Sequence, residues 1–400
     1  MRVLLAPDSF KEAASAEVIA QAMACGIMRG DPQAECRLLP LSDGGEGLTH
    51  SLVHATGGTL HDVETVDAVG RPITAQYGFL GNNHASCTLR TAVVELASAS
   101  GLERVSPADR NALTASTFGT GLLIRAAIDA GADRIVLGLG GSATTDGGTG
   151  LARALGFRFL DSTDHAIPLG GGALADLAKI DDSEVPDSVK NIPIILACDV
   201  TNPLTGSEGA AHVFAPQKGA TTTQVERLDR GLANLAHAIM QYSGRDIEHT
   251  PGSGAAGGTG GGMLGLFNAS IRPGIELVLD LAHGREACAW ADVVITGEGS
   301  IDSQTPYGKV PSGIAKLAQS QGKPTIAIGG TVTRDSHTIE ALNEAGIVAT
   351  FGIAPGPADL ATLIAGTERN VEITCAAIAN TLRVASATAV TAATSPCESA

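Results

Sequence analysis

Arg134-Ile135-Val136-Leu137-Gly138-Leu139 runs directly into Gly140-Gly141-Ser142-Ala143-Thr144-Thr145-Asp146-Gly147-Gly148. The first part is an apolar, β-branched run of strand length, which predicts a buried strand. The second offers backbone N–H groups unshielded by side chains, hydroxyls and a carboxylate. A helical pattern follows at Gly150-Leu151-Ala152-Arg153-Ala154-Leu155. Glycines let main chain approach a ligand closely, and a loop feeding a helix N-terminus suits an anion. The stretch predicts a phosphate cradle, although one Gly-rich turn taken alone is equally compatible with a structural loop.

The same grammar recurs. Arg2-Val3-Leu4-Leu5-Ala6 leads to Pro7-Asp8-Ser9-Phe10-Lys11, and Cys36-Arg37-Leu38-Leu39-Pro40-Leu41 to Asp43-Gly44-Gly45-Glu46-Gly47. Ile192-Pro193-Ile194-Ile195-Leu196-Ala197 precedes Asp199-Val200-Thr201-Asn202-Pro203. Asp292-Val293-Val294-Ile295-Thr296 gives way to Gly297-Glu298-Gly299-Ser300-Ile301-Asp302, and Pro324-Thr325-Ile326-Ala327-Ile328 to Gly329-Gly330-Thr331. Continuous apolar runs indicate strands covered on both faces, hence parallel sheets between helices. Ligands of such sheets sit outside the carboxyl ends of the strands, where these polar clusters fall. The chain reads as an α/β enzyme.

A length of 400 residues suggests two domains. Val18, Ile19, Ala22, Met23 and Ile27 form a helical stripe between Ser15, a candidate N-cap, and Gly30. Residues 60–95 change character: Val63, Val66, Ile73, Tyr77 and Phe79 lie in short stretches broken by Gly70-Arg71-Pro72 and Gly81-Asn82-Asn83, which predicts hairpins. Thr223–Gly244 reads as the longest helix, with Thr223 and Glu226 as a capping box. Helices at Val310–Gln319 and Ser336–Ala345 and a strand at Val348–Phe351 restore the βα alternation. The expected layout is a discontinuous domain, 1–65 with 285–380, around an inserted domain at 66–284 with a mixed sheet. A flexible tail is expected at 385–400.

Acidic residues number 42 against 26 basic ones, giving a net charge of −16. That argues against nucleic acid and anionic membrane as partners, which need a basic footprint. It also requires local Lys, Arg, N–H groups or Mg²⁺ wherever an anion binds. The scattered Cys25, Cys36, Cys87, Cys198, Cys288, Cys375 and Cys397 read as reduced thiols, Cys198 as a buried strand-end thiol rather than a nucleophile. No zinc-ligand spacing occurs. Asp8 and Lys11 interrupt the first apolar run, so no secretory leader is expected, and no stretch reaches transmembrane length without charge. The expected compartment is the cytoplasm.

Several strand-end clusters carry candidate chemistry. Asp8-Ser9-Phe10-Lys11 combines a carboxylate, a hydroxyl and a mobile cation; Asp199 and Asn202 follow a strongly apolar strand, where a carboxylate can take a hydroxyl proton, hold Mg²⁺ or form a turn. Glu298, Asp302 and Lys309 form a third cluster, able to share a metal with substrate phosphates or to cap the helix from Val310. Pro216-Gln217-Lys218-Gly219 is a weaker fourth, since a Lys in a turn is commonly solvated. No Walker A sequence exists. A nominal G-x-G-x-x-G at Gly260, Gly262 and Gly265 follows no strand, which disfavours an NAD-linked hydroxy-acid dehydrogenase and favours close helix packing.

The segments Ala6–Lys11, Ser42–Gly47, Gly138–Thr144, Ala197–Leu204, Pro216–Ala220 and Ile295–Asp302 resemble, in order and spacing, those of the type I glycerate kinases, over residues 1 to about 375. Thr145 replaces a usual Asn, and Ser42 a usual Ala. The resemblance implies a Rossmann-like domain plus a second α/β domain, and ATP-dependent phosphorylation of D-glycerate, at the 2-hydroxyl in bacterial members; a 3-kinase is the alternative. On that basis Gly140, Gly141, Ser142, Thr144 and Lys309 are expected to hold ATP phosphates. Lys11 and Asp199 are the expected catalytic residues, as charge neutraliser and proton acceptor. Asp8, Ser9, Asn202 and Lys218 are expected to bind substrate. Asp43, Asp146, Glu298 and Asp302 are the pool of Mg²⁺ ligands. A homodimer is the candidate assembly, and a non-catalytic anion-binding protein the remaining alternative.

Overall fold

The structure, a computed structural model, describes residues 1–45, 47–81 and 89–394, with side chains of the last helix described as far as 385. Glu46, Cys87, Cys397 and most of the turn expected at Gly81-Asn82-Asn83 lie outside that range. In chain order the strands are β1 (Arg2–Leu5), β2 (Glu35–Leu38), β3 (Thr59–Val66), β4 (Pro72–Phe79), β5 (Thr91–Glu95) and β6 (Arg134–Gly138). They continue with β7 (Arg158–Leu160), β8 (Lys179–Asp181), β9 (Ile194–Ala197), β10 (Ala269–Arg272), β11 (Val293–Ile301), β12 (Thr325–Val332) and β13 (Ile347–Gly352). Two compact units result: Met1–Asp43 with Val278–Ala400, and Gly44–Leu277.

The first unit holds a parallel sheet in the order β13-β12-β11-β1-β2. Its central strands β1, β11 and the first part of β12 are buried, as their uninterrupted apolar sequence requires, while the edge strands β2 and β13 are partly exposed; Val3, Leu5, Ile295 and Ile328 join Ile19 and Met23 in one core. The helix Ala16–Gly30 begins where the Ser15 hydroxyl accepts from Val18 N–H at 3.4 Å. It packs on a second helix, Thr367–Thr394, so closely that a Cβ at Gly26 would lie 2.4 Å from the Glu372 carbonyl oxygen. This helix of 28 residues corrects two expectations. The backbone stays helical through the start of the expected flexible tail, and the longest helix is not in the middle of the chain. Its alanines favour helix, and Val371, Cys375, Ile378 and Ala379 recur at helical spacing as a buried stripe.

The second unit holds a mixed sheet in the order β10-β9-β6-β5-β4-β3, parallel from β10 to β5 and antiparallel from β5 to β3. Residues 44–65, expected in the first unit, belong here because β3 pairs with β4 along its whole length. The helix Leu48–Thr56 is tied to β5 as well: the Glu95 carboxylate accepts from Thr49 N–H at 2.7 Å and Gly47 N–H at 3.1 Å.

The helix Thr222–Ser243 is capped two residues earlier than expected. Thr221 and Gln224 form the reciprocal box, not Thr223 and Glu226. Leu228, Leu232, Leu235 and Ile239 face the core. The Gly-rich segment is a kinked helix, Ala255–Leu266, preceded by no strand, which removes the dinucleotide reading. Its glycines allow contact instead: a Cβ at Gly257 would lie 2.0 Å from the Thr144 carbonyl oxygen, and one at Gly262 2.0 Å from that of Gly147. Among the described residues no helix is long and apolar enough to cross a membrane.

Candidate active site

In the second unit β6 ends at Gly138 and opens into the Gly-rich loop. Gly141 takes φ of +68°. Among the described residues, the N–H groups of Gly140, Gly141 and Ser142 donate to no group of the chain, while the Gly141 carbonyl is held by Leu102 N–H at 2.8 Å. An unbonded run of N–H groups at a strand end is an anion-binding arrangement. Thr144 is buried, and among the described residues its hydroxyl lacks a partner, as does that of Thr145.

Lys218 is the correction here. It is 2% exposed rather than solvated, and its Nζ donates to Ser142 Oγ at 2.8 Å and to the Thr144 carbonyl at 2.5 Å. Burial pushes its ammonium down to about 7, against the opposing pull of Asp146. A side chain so enclosed supports the loop from within and is not placed to hold a substrate.

Asp146 is fully buried and does not fit the metal role. Its Oδ2 accepts from Thr117 N–H at 2.8 Å, Thr117 Oγ1 at 2.9 Å, Gly150 N–H at 3.2 Å and Ser116 Oγ at 3.3 Å, and its Oδ1 from Gly148 N–H at 3.1 Å. It fastens the loop to the helix that follows and to the segment before Phe118. Burial nonetheless holds its carboxyl above the usual range.

At the end of β9, exposed Asp199 accepts from Gly274 N–H at 2.8 Å. Asn202 ties its own loop, donating to the Glu208 carbonyl at 2.8 Å. Cys198 keeps its proton, since burial pushes the thiol up to about 11. Sequence reading missed Glu95, a buried strand-end carboxylate. The signal was present in Thr91-Ala92-Val93-Val94-Glu95, an apolar run closed by an acid, but the region read as hairpins.

In the first unit, β1 continues past its last residue: Asp8 N–H donates to the Gly297 carbonyl at 2.8 Å. Asp8 also accepts from Ser9 N–H at 2.7 Å. Burial, with Asp43 and Glu298 nearby, pushes the Asp8 carboxyl up to about 7. Lys11 partly offsets this; it is exposed, and its Nζ forms no ion pair among the described residues. Glu298, 7% exposed, accepts from Thr305 Oγ1 at 2.6 Å and Lys309 Nζ at 3.0 Å. Lys309 also lies 3.8 Å from Asp302, whose carboxyl the Gln304 N–H draws down. Thus Glu298, Asp302 and Lys309 meet, as the sequence suggested. Neither acid caps the helix Val310–Gln319, whose N-cap is Lys309 itself. Lys309 is engaged with carboxylates rather than presented alone to phosphate.

No group of three His, Cys, Asp or Glu side chains among the described residues stands at metal-binding spacing. Asp43 and Glu298 both push the Asp8 carboxyl up, and a hard cation held by those two oxygen donors would relieve that crowding.

Two α/β units whose strands end in unbonded N–H groups, carboxylates and lysines define an α/β enzyme. The family model described as the glycerate kinase family matches residues 3–383. A glycerate kinase of Bacillus subtilis (strain 168) is 44% identical over 385 residues, 96% of this chain and 98% of the relative. A glycerate 2-kinase of Escherichia coli (strain K12) is 38% identical, covering 96% and 98% respectively. A crystal structure from Salmonella typhimurium LT2, provisionally named glycerate kinase 2, superposes with a TM-score of 0.86 at 43% identity, covering 96% of this chain and 99% of that one. The chain belongs to the glycerate kinase family, and is a kinase.

Proposed function

We propose that this enzyme transfers the terminal phosphoryl group of ATP to the 2-hydroxyl of D-glycerate, giving 2-phospho-D-glycerate and ADP. The observation that carries the reading is the strand-end loop whose Gly140, Gly141 and Ser142 N–H groups lack acceptors among the described residues, in a chain of this family. Phosphoryl transfer needs positioning and charge neutralisation more than covalent help. The loop would bind phosphate oxygens. Exposed Lys11, adding charge where the net −16 would repel an anion, would neutralise the transferring group or the glycerate carboxylate. Asp199 would accept the hydroxyl proton, with Asp8, Ser9 and Asn202 as substrate contacts.

Asp43, Glu298 and Asp302 would hold Mg²⁺; when bound, the ion neutralises phosphate charge. Asp146 is removed from that set by its enclosure. The acidic charge and scattered thiols support a cytoplasmic enzyme. The 2-position draws support from the Escherichia coli relative named for it.

The test couples D-glycerate, MgATP and this protein to enolase without phosphoglycerate mutase. Prompt phosphoenolpyruvate formation is expected. ADP release without it would transfer the reading to the 3-position, and no ADP at all would sink the kinase assignment.

A further inference from the structure

Lys218 is a buried ammonium for which no described carboxylate lies within ion-pairing distance. Lysine is almost never fully buried without a paired charge, because desolvating an ammonium is costly. The turn that carries it is built to aim it. Pro216 opens a short 3₁₀ turn, Lys218 N–H bonds the Ala215 carbonyl, and Gly219 leaves the turn at φ of +89°. Its three hydrogens meet two oxygens of the Gly-rich loop, the Ser142 hydroxyl and the Thr144 carbonyl.

We propose that Lys218 is a positioning residue: from beneath the loop it draws these two oxygens inward and leaves the N–H groups of Gly140, Gly141 and Ser142, and the Ser142 hydroxyl hydrogen, to a phosphoryl oxygen. The inference rests on the reading of this loop as the nucleotide phosphate site. The donor count follows directly. A hydroxyl oxygen that accepts from an ammonium turns its own hydrogen elsewhere, and no described group takes it. The ammonium also supplies charge under a loop that otherwise offers only neutral donors, and a bound phosphate supplies the missing counter-charge. The charged group that acts on it is Asp146, whose pull favours the ammonium.

The test is Lys218→Met, which keeps the length of the stem and removes the charge. The variant is expected to fold and to melt somewhat below the parent: it removes an unpaired buried charge with little change in volume but takes the donor from the Thr144 carbonyl. Its KM for ATP should rise about tenfold or more, with KM for D-glycerate within about twofold. In the parent, KM for ATP should climb between about pH 7 and about pH 9 as the ammonium is lost; in the variant it should stay flat. An unchanged KM for ATP in a folded Lys218→Met overturns the proposal. Should that variant fail to fold, a flat parent profile overturns it equally. Gly141→Val separates the two levels: it forces a side chain into a left-handed turn whose Cβ would sit 3.3 Å from Ala97 Cβ. If Gly141→Val also leaves KM for ATP unmoved, the loop is not the nucleotide site and the underlying reading fails. If it raises KM while Lys218→Met does not, the role of Lys218 alone is lost.

Discussion

A carboxylate ringed by donors and one crowded by other acids do opposite work, and Asp146 and Asp8 are the two cases. Asp146 gathers N–H and hydroxyl donors from Thr117, Gly148 and Gly150, each of which would be orphaned on its removal. Asp146→Ala is therefore expected to cost about 3 kcal/mol in urea unfolding without any divalent ion, and Asp146→Asn clearly less. A stable Asp146→Ala whose sole defect is a raised Mg²⁺ requirement would restore the metal role. Asp8 has few such donors, and its neighbouring acids add to the effect of burial. Its carboxyl stands at about 7 in the fold against 3.8 in the open chain, so between those values the folded state holds the extra proton. Stability contributed by that proton is lost as pH rises from about 4 to about 7. Asp8→Asn should flatten the fall of the unfolding midpoint over this window in Mg²⁺-free buffer; parallel profiles for parent and variant would refute the assignment.

At the scale of elements, two contacts decide more than propensity does. Thr221→Ala should cost about 1 kcal/mol by removing the oxygen that accepts from Gln224 N–H, whereas Thr223→Ala, inside the helix, should be nearly neutral. Reversal of that order in thermal melts would mean the helix starts later. Gly26→Ala poses propensity against sterics. Alanine gains about 1 kcal/mol in helix preference, but its Cβ would press on the Glu372 carbonyl and lie 2.7 Å from Cys375 Cβ, an overpacking that costs about 1–3 kcal/mol. Net destabilisation is expected; a higher melting temperature would show that the two helices separate easily. The same contacts explain what was legible. Strands covered on both faces announce themselves by continuous apolar runs, and Ser15 by its place before a helical stripe. The Thr221 box was not, because Thr221-x-x-Gln224 and Thr223-x-x-Glu226 satisfy one pattern. Nor was the burial of Lys218 or the enclosure of Asp146, whose partners lie 76 and 29 residues away in sequence. Distant donors leave no periodic trace.

Across the whole molecule the acids outnumber the bases enough to set a long-range field opposed to both expected substrates, which are anions. The local groups that would receive them act at contact distance: the loop N–H groups and Lys11. Salt distinguishes the two, since at about 0.1 M the screening length is about 10 Å, short against the spread of the surface charge and long against a hydrogen bond. Raising inert salt from about 10 mM to about 100 mM at constant free Mg²⁺ should therefore weaken the repulsion more than the attraction. The KM values for MgATP and D-glycerate are expected to fall by about two- to threefold in initial-rate assays. A protein that captured its anions through an extended basic surface would respond in the other direction, losing affinity steadily as salt increased. A rise in both KM values over this range would mean that charges farther out than Lys11 steer the substrates in, and would place the decisive cations outside the strand ends.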